Sequence, residues 1–380
     1  MTERALRRFF LVVMATLLSV GCVVVYSATV IQAMATYGNS VRLLTTHVLA
    51  IGLGLGGVLG CLALPSRTLR HAAKPLVLLS LGLLILVRLV GPEIGGAHRW
   101  FRLGRFSVQP SEFAQLALVL YLADFLARKH LVIQDFRAGF LPPILVTGLM
   151  AGSIVLQPDL GTAIVIGAVA LLMLLSAKAR WQHLGFVVAI GLVILIVLVG
   201  SVEYRRRRFL AFLDPWGDPL GAGFQIVQSY VALGSGGLFG QGIGASLQKL
   251  FYLPSAHTDF IFALIGEELG LVGTTAILGL FALFICCGIR MAHLADDRFH
   301  KYLICGCVGL IGCEAVVHMA VVTGLLPTKG LPLPLVSYGG TSMVVNLLAC
   351  GFILRASRAM GSERGLPPLS IPRTITAGPS

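Results

Sequence analysis

The chain has 380 residues, of which 57% are hydrophobic and 12% are charged, and its formal net charge is +13. Soluble domains carry about 25% charged residues, so this composition predicts an all-α integral membrane protein and excludes a sizeable soluble catalytic domain. The excess of Lys and Arg is typical of the inward-facing loops of a membrane protein, and we predict no nucleic-acid partner. The eight cysteines fall in apolar runs without a C-x-x-C pair, which argues against a disulfide framework or a zinc site.

Ten apolar segments, each near the ~20 residues that cross a bilayer, predict ten transmembrane helices. In chain order they span 9–31, 44–64, 75–91, 111–127, 141–156, 160–176, 183–200, 260–289, 301–324 and 338–356. The first segment follows Arg4, Arg7 and Arg8 and is too long for the apolar region of a signal peptide. We predict one polytopic membrane domain over residues 1–360, followed by a disordered cytoplasmic tail at 361–380, which is rich in Pro, Ser and Gly.

Lys and Arg residues in the loops predict the orientation of these helices. If the N-terminus is cytoplasmic, every cytoplasmic connection contains at least two Lys or Arg residues, in agreement with the positive-inside rule. Both termini are then cytoplasmic, and a large extracytoplasmic loop, 201–259, joins helices 7 and 8. The outer side also carries cations that topology does not require, and these favour an anionic ligand on that face: Arg99, Arg102, Arg105, the run Arg205–Arg208, Lys249 and Lys329.

Asp259 stands where this long polar loop meets the apolar segment 260–289. A carboxylate at a membrane edge is costly to desolvate and is by default a candidate functional residue, although Asp near a helix start is also a common cap. Asp159 is expected to cap the sixth helix, and Glu112, which follows Pro110, either occupies a first helical turn or belongs to a site. Deeper acids are expected to hydrogen-bond between helices, namely Glu267, Glu268 and Glu314.

The outer loop also contains a glycine-rich run, Gly234–Gly244. Glycine-rich loops can cradle phosphate, but this spacing is not that of a P-loop, and no Gly-Lys-Ser/Thr follows. Tight turns and close backbone approaches are therefore the favoured interpretation. Exposed backbone N–H groups that meet phosphate are the alternative.

Short motifs follow one another in order along the ten segments. They are Tyr26-Ser27-Ala28, Gly96-Ala97-His98-Arg99-Trp100, Gln109-Pro110-Ser111-Glu112, Gln157-Pro158-Asp159-Leu160-Gly161-Thr162, Gly223-Phe224-Gln225 with Gln228-Ser229, Ala256-His257-Thr258-Asp259-Phe260 with Gly266-Glu267-Glu268-Leu269-Gly270, and Pro327-Thr328-Lys329-Gly330 before Ser337-Tyr338-Gly339-Gly340. Over residues 9–358 the chain resembles the SEDS family of peptidoglycan glycosyltransferases, the group containing FtsW, RodA and SpoVE. The Pro-Thr-Lys-Gly form and the run Gln248–Pro254 are more similar to FtsW or SpoVE than to RodA.

This resemblance implies a fold of ten membrane helices with a large outer loop. It also implies polymerisation of lipid II into glycan strands during cell division, on the outer face of the bacterial cytoplasmic (inner) membrane. The expected partners are a class B penicillin-binding protein, which crosslinks the strands as a transpeptidase, and other division proteins. The acidic residue of the His-Thr-Asp-Phe motif is held to be catalytic in this family, and here it is Asp259.

The chemistry of the reaction agrees with this assignment. Conversion of an α-linked sugar diphosphate into a β-linked glycan needs one displacement, hence one base that takes the proton of the acceptor hydroxyl. Asp259 is predicted to be that base, and Lys329, Arg99 and Lys249 to stabilise the departing diphosphate. A divalent cation such as Mg or Mn could share that task, although the sequence shows no clear ligand cluster. Further predicted substrate-binding residues are His257, Glu112, Asp159, Gln228 and Ser337.

Some questions stay open at the level of sequence. A helix N-terminus would lower the pKa of Asp259, whereas burial would raise it. Three positions depart from the family pattern: Gln115 stands where relatives usually have Lys, His98 where Arg is frequent, and Thr341 where Ser is common. The first removes an ion pair expected for Glu112. The alternative functions are a lipid II flippase or transporter, a RodA-like elongation polymerase, and a non-catalytic scaffold.

Overall fold

The computed structural model describes residues 2–94, 96–103, 106–250 and 253–358. The predicted outer cation Arg105 and the predicted disordered tail at 361–380 lie outside the described residues. The described chain forms helices and one hairpin, with these bounds: α1 Glu3–Tyr37, α2 Arg42–Ala63, α3 Ser66–Val90, β1 Phe101–Leu103, β2 Phe106–Val108, α4 Pro110–Arg128, α5 Leu141–Val155, α6 Leu160–Ser176, α7 Trp181–Gly200, α8 Glu203–Leu213, α9 Phe224–Gly236, α10 Ile261–Leu294, α11 Arg298–Val322 and α12 Gly340–Arg358.

The predicted class, an all-α membrane protein, is confirmed by these helices. Within the described ranges, nine helical stretches are long and apolar enough to cross a membrane, and α6 is a shorter apolar helix of 17 residues. Each of the ten predicted segments coincides with one of these helices. A single π-helical turn, Phe136–Phe140, leads directly into α5 and extends it to spanning length. The apolar runs therefore identified every long helix, because a backbone in lipid must satisfy its hydrogen bonds within the helix.

The loop at 201–259 is more structured than the sequence indicated. It contains two helices: α8, which carries the run Arg205–Arg208, and α9, which ends at Gly236. The connection before α4 contains the antiparallel hairpin β1–β2, with Phe101 opposite Val108. Neither α8 nor the hairpin has the length or the hydropathy by which the ten segments were recognised, so both were missed.

Helices α4, α11 and α12 form the buried centre of the bundle. The apolar windows of α4 and α12 are each 78% buried and that of α11 is 67% buried, whereas the window of α7 is only 6% buried. The exposed side chains of α7 are almost entirely apolar, which suits a peripheral helix surrounded by lipid. The polar groups that matter for chemistry are therefore expected at the ends of the central helices.

The connections between helices gather at two ends of the bundle. At one end, Arg70 forms an ion pair with Asp297, and Nε of Arg355 donates to the carbonyl of Leu64 at 2.6 Å. At the other end, the backbone N–H of Gln109 donates to Oγ1 of Thr341 at 3.2 Å. The second end holds the connections that precede α4, α6, α10 and α12. It is the end at which Asp259 lies.

Candidate functional site

Asp259 lies in the last turn of the outer loop, directly before α10. The backbone N–H groups of Thr258 and Asp259 both donate to the carbonyl of Ser255, at 3.1 and 3.0 Å. The N-cap of α10 is Phe260, and no side chain caps that helix end. Asp259 therefore does not fill the capping role that would have explained its presence structurally. Its carboxylate stays available for other chemistry.

The connection between α11 and α12 holds the backbone around Asp259 in place. Oγ of Ser337 donates to the carbonyl of Thr258 at 2.7 Å and accepts from the N–H of Leu333 at 2.8 Å. The N–H of Tyr338 donates to the carbonyl of His257 at 3.0 Å. Ser337, predicted to bind substrate, thus fixes the residue next to the candidate base. The tyrosine ring also meets the imidazole of His257 edge-on, with centroids 5.6 Å apart.

The same connection passes directly beside the carboxylate. A Cβ atom placed on Gly330 would stand 3.3 Å from Oδ2 of Asp259. The backbone at position 330 therefore approaches the acid more closely than most side chains would allow. Its neighbour in sequence is Lys329, the cation predicted to bind diphosphate. The Pro-Thr-Lys-Gly and His-Thr-Asp-Phe motifs, about 70 residues apart in sequence, meet at one point.

The charges of this site perturb one another. Burial raises the pKa of the Asp259 carboxyl to about 6, while a hydrogen bond from the Thr258 side chain and the charge of Arg208 act in the opposite direction. Burial lowers the pKa of the Lys329 ammonium to about 8; Asp159 opposes that change, and Arg205 and Arg208 add to it. Arg208 thus acts on both groups, although no individual role was predicted for it. The only sequence signal for it is its place in a cationic run on the predicted outer side.

His257 lies two residues before Asp259, and Gln228 lies on α9. Burial lowers the pKa of the His257 imidazole, so the ring is neutral at pH 7. It can then accept or donate one hydrogen bond without adding charge beside Asp259. Gln228 is half-buried on α9, and the neighbouring Ser229 donates to the carbonyl of Val322 at 2.7 Å. That bond fixes α9 against the end of α11.

Arg99 and Asp159 organise the turn between α5 and α6. Nε and Nη2 of Arg99 donate to the carbonyls of Gln157 and Pro158, at 2.8 and 2.6 Å. Asp159 caps α6 as expected, since it accepts from the N–H of Thr162 at 3.2 Å and from its hydroxyl at 2.9 Å. The guanidinium of Arg99 is therefore partly occupied by protein carbonyls, and its main visible effect is to brace this turn.

Lys249 is paired with an acid of the protein, and Glu112 occupies the first turn of α4, one of the two positions predicted for it. Nζ of Lys249 is buried and pairs with Oε1 of Glu268 at 3.3 Å, so its charge is already neutralised by the protein. Glu112 is buried near the amino end of α4, within range of the charges of Glu314 and Asp159. Among the described residues no salt bridge reaches Glu112, in keeping with the missing Lys at position 115. Within the same residues, no group of three His, Cys, Asp or Glu side chains is placed to hold a metal ion.

Together the fold and the site define a multi-pass membrane protein with a half-buried acid and several cations at one end of its bundle. The chain belongs to the family of FtsW, RodA and SpoVE, whose model, described as that of a cell cycle protein, matches residues 7–361. It is 41% identical to the probable peptidoglycan glycosyltransferase FtsW of Geobacter metallireducens over 362 residues, covering 94% of this chain and 96% of the relative. It is also 41% identical to the stage V sporulation protein E of Bacillus subtilis, covering 90% and 94%.

Solved structures show the same architecture. One is a chain from the structure described as structural coordination of polymerization and crosslinking by a peptidoglycan synthase complex. It matches with a TM-score of 0.76 and 31% identity, over 93% of this chain and 98% of that one. The rod shape determining protein RodA of Thermus thermophilus matches with a TM-score of 0.68 and 30% identity, over 93% and 96%.

Proposed function

We propose that this chain polymerises lipid II into glycan strands during cell division, with Asp259 as the general base. As a peptidoglycan glycosyltransferase of the FtsW type, it must take a proton from an acceptor hydroxyl while the bond to diphosphate breaks. The observation that carries the proposal is the half-buried carboxyl of Asp259, which lies beside the backbone of Gly330. Desolvation raises its pKa to about 6, close to neutral pH. A base with such a pKa is ionised at pH 7 and still has useful proton affinity.

The departing diphosphate is the second requirement of the reaction. One displacement at the anomeric carbon forms the new glycosidic bond, breaks the bond to diphosphate, and passes the hydroxyl proton to Asp259. Negative charge grows on the leaving oxygen, and preorganised cations stabilise it there. Lys329 and Arg208 are suited to that role. The charge of Arg208 acts on both Asp259 and Lys329, and Lys329 directly precedes Gly330, whose backbone lies beside the Asp259 carboxylate. Arg205 adds a third positive charge close to Lys329.

The geometry also supplies the positioning that a single displacement needs. Ser337 and Tyr338 bind the backbone on either side of Thr258, and this restricts the direction of the neighbouring carboxylate. Rigid orientation of a base and an electrophile removes much of the entropic barrier to reaction. We assign Ser337 to this positioning role and Lys249 to a separate buried pair, while His257, Arg99, Asp159, Glu112 and Gln228 stay candidates for substrate contact.

Place and partners complete the proposal. The reaction would occur on the outer face of the bacterial cytoplasmic membrane, where the acceptor glycan grows. A class B penicillin-binding protein would crosslink the strands, as the synthase complex with a similar chain couples polymerization and crosslinking.

Asp259→Asn tests the role of the base. Asn has the size of Asp and most of its hydrogen-bonding capacity, but it cannot take the proton, so polymerisation should fall by about 10²–10⁴-fold. The assay is glycan synthesis from purified lipid II by the purified protein, with and without its transpeptidase partner. Correct insertion and partner binding should be unchanged.

Asp214→Asn is the matched control in the same outer loop. Asp214 accepts a hydrogen bond from the N–H of Gly217 at 3.1 Å, a bond that Asn can also accept, so this variant should polymerise normally. Near-normal synthesis by a well-inserted Asp259→Asn protein would remove Asp259 from the mechanism. Translocation of lipid II without glycan product, in the unmodified protein, would favour the flippase instead.

A further inference from the structure

Helix α10, which follows Asp259, is broken at Gly270. That residue has φ 67° and ψ −161°, far from helical values. The break separates a short part, 261–269, from a long part, 271–294. Asp259 lies two residues before the short part, so the orientation of the short part decides where the carboxylate stands relative to the rest of the bundle.

The glycine-rich segment 237–249, here called the clamp segment, bonds across this break. In a continuous helix the N–H groups of residues 271 and 272 would donate to the carbonyls of residues 267 and 268. Instead, the N–H groups of Leu271 and Val272 donate to the carbonyls of Gly237 and Leu238, at 2.9 and 3.1 Å. The two freed carbonyls, those of residues 267 and 268, accept from the N–H groups of residues 241 and 242, at 2.9 and 3.0 Å.

This exchange of hydrogen bonds requires glycine at the crossing point. A Cβ atom on Gly240, which has φ +80°, would stand 2.2 Å from the carbonyl oxygen of Glu268. A Cβ atom on Gly270 would stand 2.4 Å from the backbone nitrogen of Gly240. The glycine-rich run thus serves a close backbone approach rather than a phosphate cradle. At the break, some backbone groups of α10 lose their helical hydrogen bonds. The clamp segment supplies the partners for these groups.

A buried ion pair closes the end of the clamp segment. Nζ of Lys249 lies 3.3 Å from Oε1 of Glu268 and 3.3 Å from Oγ of Ser27, and it also donates to the carbonyl of Gly244. Oγ of Ser27 donates to the same Glu268 oxygen at 2.5 Å. The Lys249 and Glu268 side chains are only 5% and 3% exposed. Next to this pair, Glu267 accepts from the N–H of Leu247 at 2.9 Å.

We propose that Lys249 is a positioning residue for glycosyl transfer. Its buried ion pair with Glu268 holds the clamp segment across the break in α10, and the clamp segment holds the short part of that helix and thus Asp259. This inference rests on the proposed function, because it takes Asp259 to be the base. In this role Lys249 acts on Asp259 through Glu268 and α10, and not by the contact with diphosphate that was predicted from the sequence.

The double variant Lys249→Met with Glu268→Gln tests this role. Lys249→Met alone would leave the Glu268 charge buried without a partner and could unfold the protein, whereas the double variant removes both charges. We expect faster hydrogen–deuterium exchange in 260–272, measured by mass spectrometry in detergent. We also expect kcat to fall about tenfold or more, with little change in the KM for lipid II. The acid limb of the pH–rate profile should move to lower pH, because a looser Asp259 is better hydrated.

The matched control is the double variant Asp124→Asn with Arg128→Met. It removes the ion pair between Asp124 and Arg128, which are four residues apart in α4, at the opposite end of the bundle. Exchange in 260–272 and the acid limb should be unchanged by this control. The double variant Lys249→Met with Glu268→Gln could instead lower only the melting temperature and leave exchange in 260–272, kcat and the acid limb unchanged. That result would overturn the positioning role.

Failure of the underlying function would look different. In that case the Asp259→Asn protein would polymerise normally, or the unmodified protein would make no glycan. Exchange in 260–272 does not depend on activity. Unchanged exchange in the double variant Lys249→Met with Glu268→Gln therefore rejects the claim that this ion pair holds the short part of α10. That conclusion does not depend on the activity assay.

Discussion

The carboxyl group of Asp259 is subject to two opposing influences that the sequence could name but not weigh. A position near a helix start lowers the pKa of an acid, and removal from water raises it. In the structure, Asp259 precedes the N-cap Phe260, and burial is the largest influence on its pKa. The balance depends on the connection at 330–338, which lies far away in sequence and brings Gly330 beside the carboxylate. Tertiary packing, and not the local motif, makes this residue a suitable base.

The first prediction at this scale concerns pH. Asp259 must be ionised to accept a proton, and burial has raised its pKa to about 6, so activity should be lost as pH falls through about 6. Lys329 must be protonated to stabilise diphosphate, and its pKa is lowered to about 8, so activity should decline as pH rises through about 8. Initial rates of lipid II polymerisation between pH 4.5 and pH 9.5 should give a bell with these two limbs.

Lys329→Arg is the control for the alkaline limb. Because a guanidinium stays protonated to much higher pH, this variant should keep the acid limb and lose the decline above pH 8. An acid limb near the ordinary pKa of Asp, ~3.9, would contradict the burial of the base. An alkaline limb that persists in the Arg variant would show that another group is responsible for it.

A second prediction separates transition-state stabilisation from docking. If Lys329 stabilises the leaving diphosphate, Lys329→Ala should lower kcat by about 10²-fold, while the affinity for lipid II changes much less. Single-turnover rates and equilibrium binding of lipid II measure the two quantities. Lys129→Ala, at an exposed position in another connection, is the matched control. A loss confined to affinity would make Lys329 a docking residue.

At the scale of helices and loops, the apolar pattern predicted where helices lie but not where they end. Helix α3 begins at Ser66, earlier than the apolar run that starts at 75, because helical structure continues into charged residues outside the apolar run. The break in α10 was also beyond sequence reasoning, although Gly270 was visible. A helical Gly is tolerated in many helices, and only the partners at 237–242 turn this one into a break.

The placement of cations shows the same limit. Arg205, Arg208 and Lys329 were all identified as outer cations, but only their packing shows that Arg208 acts on Asp259 and that Arg205 and Arg208 act on Lys329. Lys249 belonged to the same set and is instead paired with Glu268. Nothing in the sequence distinguishes a Lys that meets a ligand from one that meets a buried Glu 19 residues later.

The contact between α9 and the short part of α10 gives a prediction about stability. A Cβ atom on Gly236 would stand 1.9 Å from the carbonyl oxygen of Gly266, whereas a Cβ atom on Gly234 meets nothing within 4 Å. Gly236→Ala should therefore lower the free energy of unfolding by about 1–3 kcal/mol through overpacking. Gly234→Ala, two residues earlier in the same helix, should raise it by about 0.5–1 kcal/mol through lower backbone entropy in the unfolded chain.

Thermal unfolding of the two purified variants in the same detergent compares them directly. A melting temperature that rises for Gly234→Ala and falls for Gly236→Ala agrees with the close approach of the two helices. Equal shifts in the two variants would mean that the approach is looser than the structure shows.

At the scale of the whole molecule, charge divides the bundle into two chemically different ends. One end carries ion pairs such as Arg70 with Asp297, which joins α3 to the start of α11, and Arg128 with Asp124, which lies within α4. The other end collects Lys329 and two arginines of α8, Arg205 and Arg208, near the half-buried Asp259. The connections that were predicted to be cytoplasmic from their Lys and Arg content are those that meet at the first end. The division agrees with the positive-inside pattern, and it puts the candidate site on the predicted outer face.

The last prediction tests that orientation directly. Single cysteines at Ser235 in the outer loop and Gln134 in the connection after α4 both occupy exposed positions, in a background without the eight native cysteines. An impermeant thiol reagent on intact cells should label position 235 and spare position 134, and permeabilised cells should show labelling of both. Ser357 is unsuitable as an inner probe because it is buried, with 0% of its surface exposed. Labelling of position 134 with protection of position 235 would invert the topology, and it would leave Asp259 on the side where lipid II is made rather than polymerised.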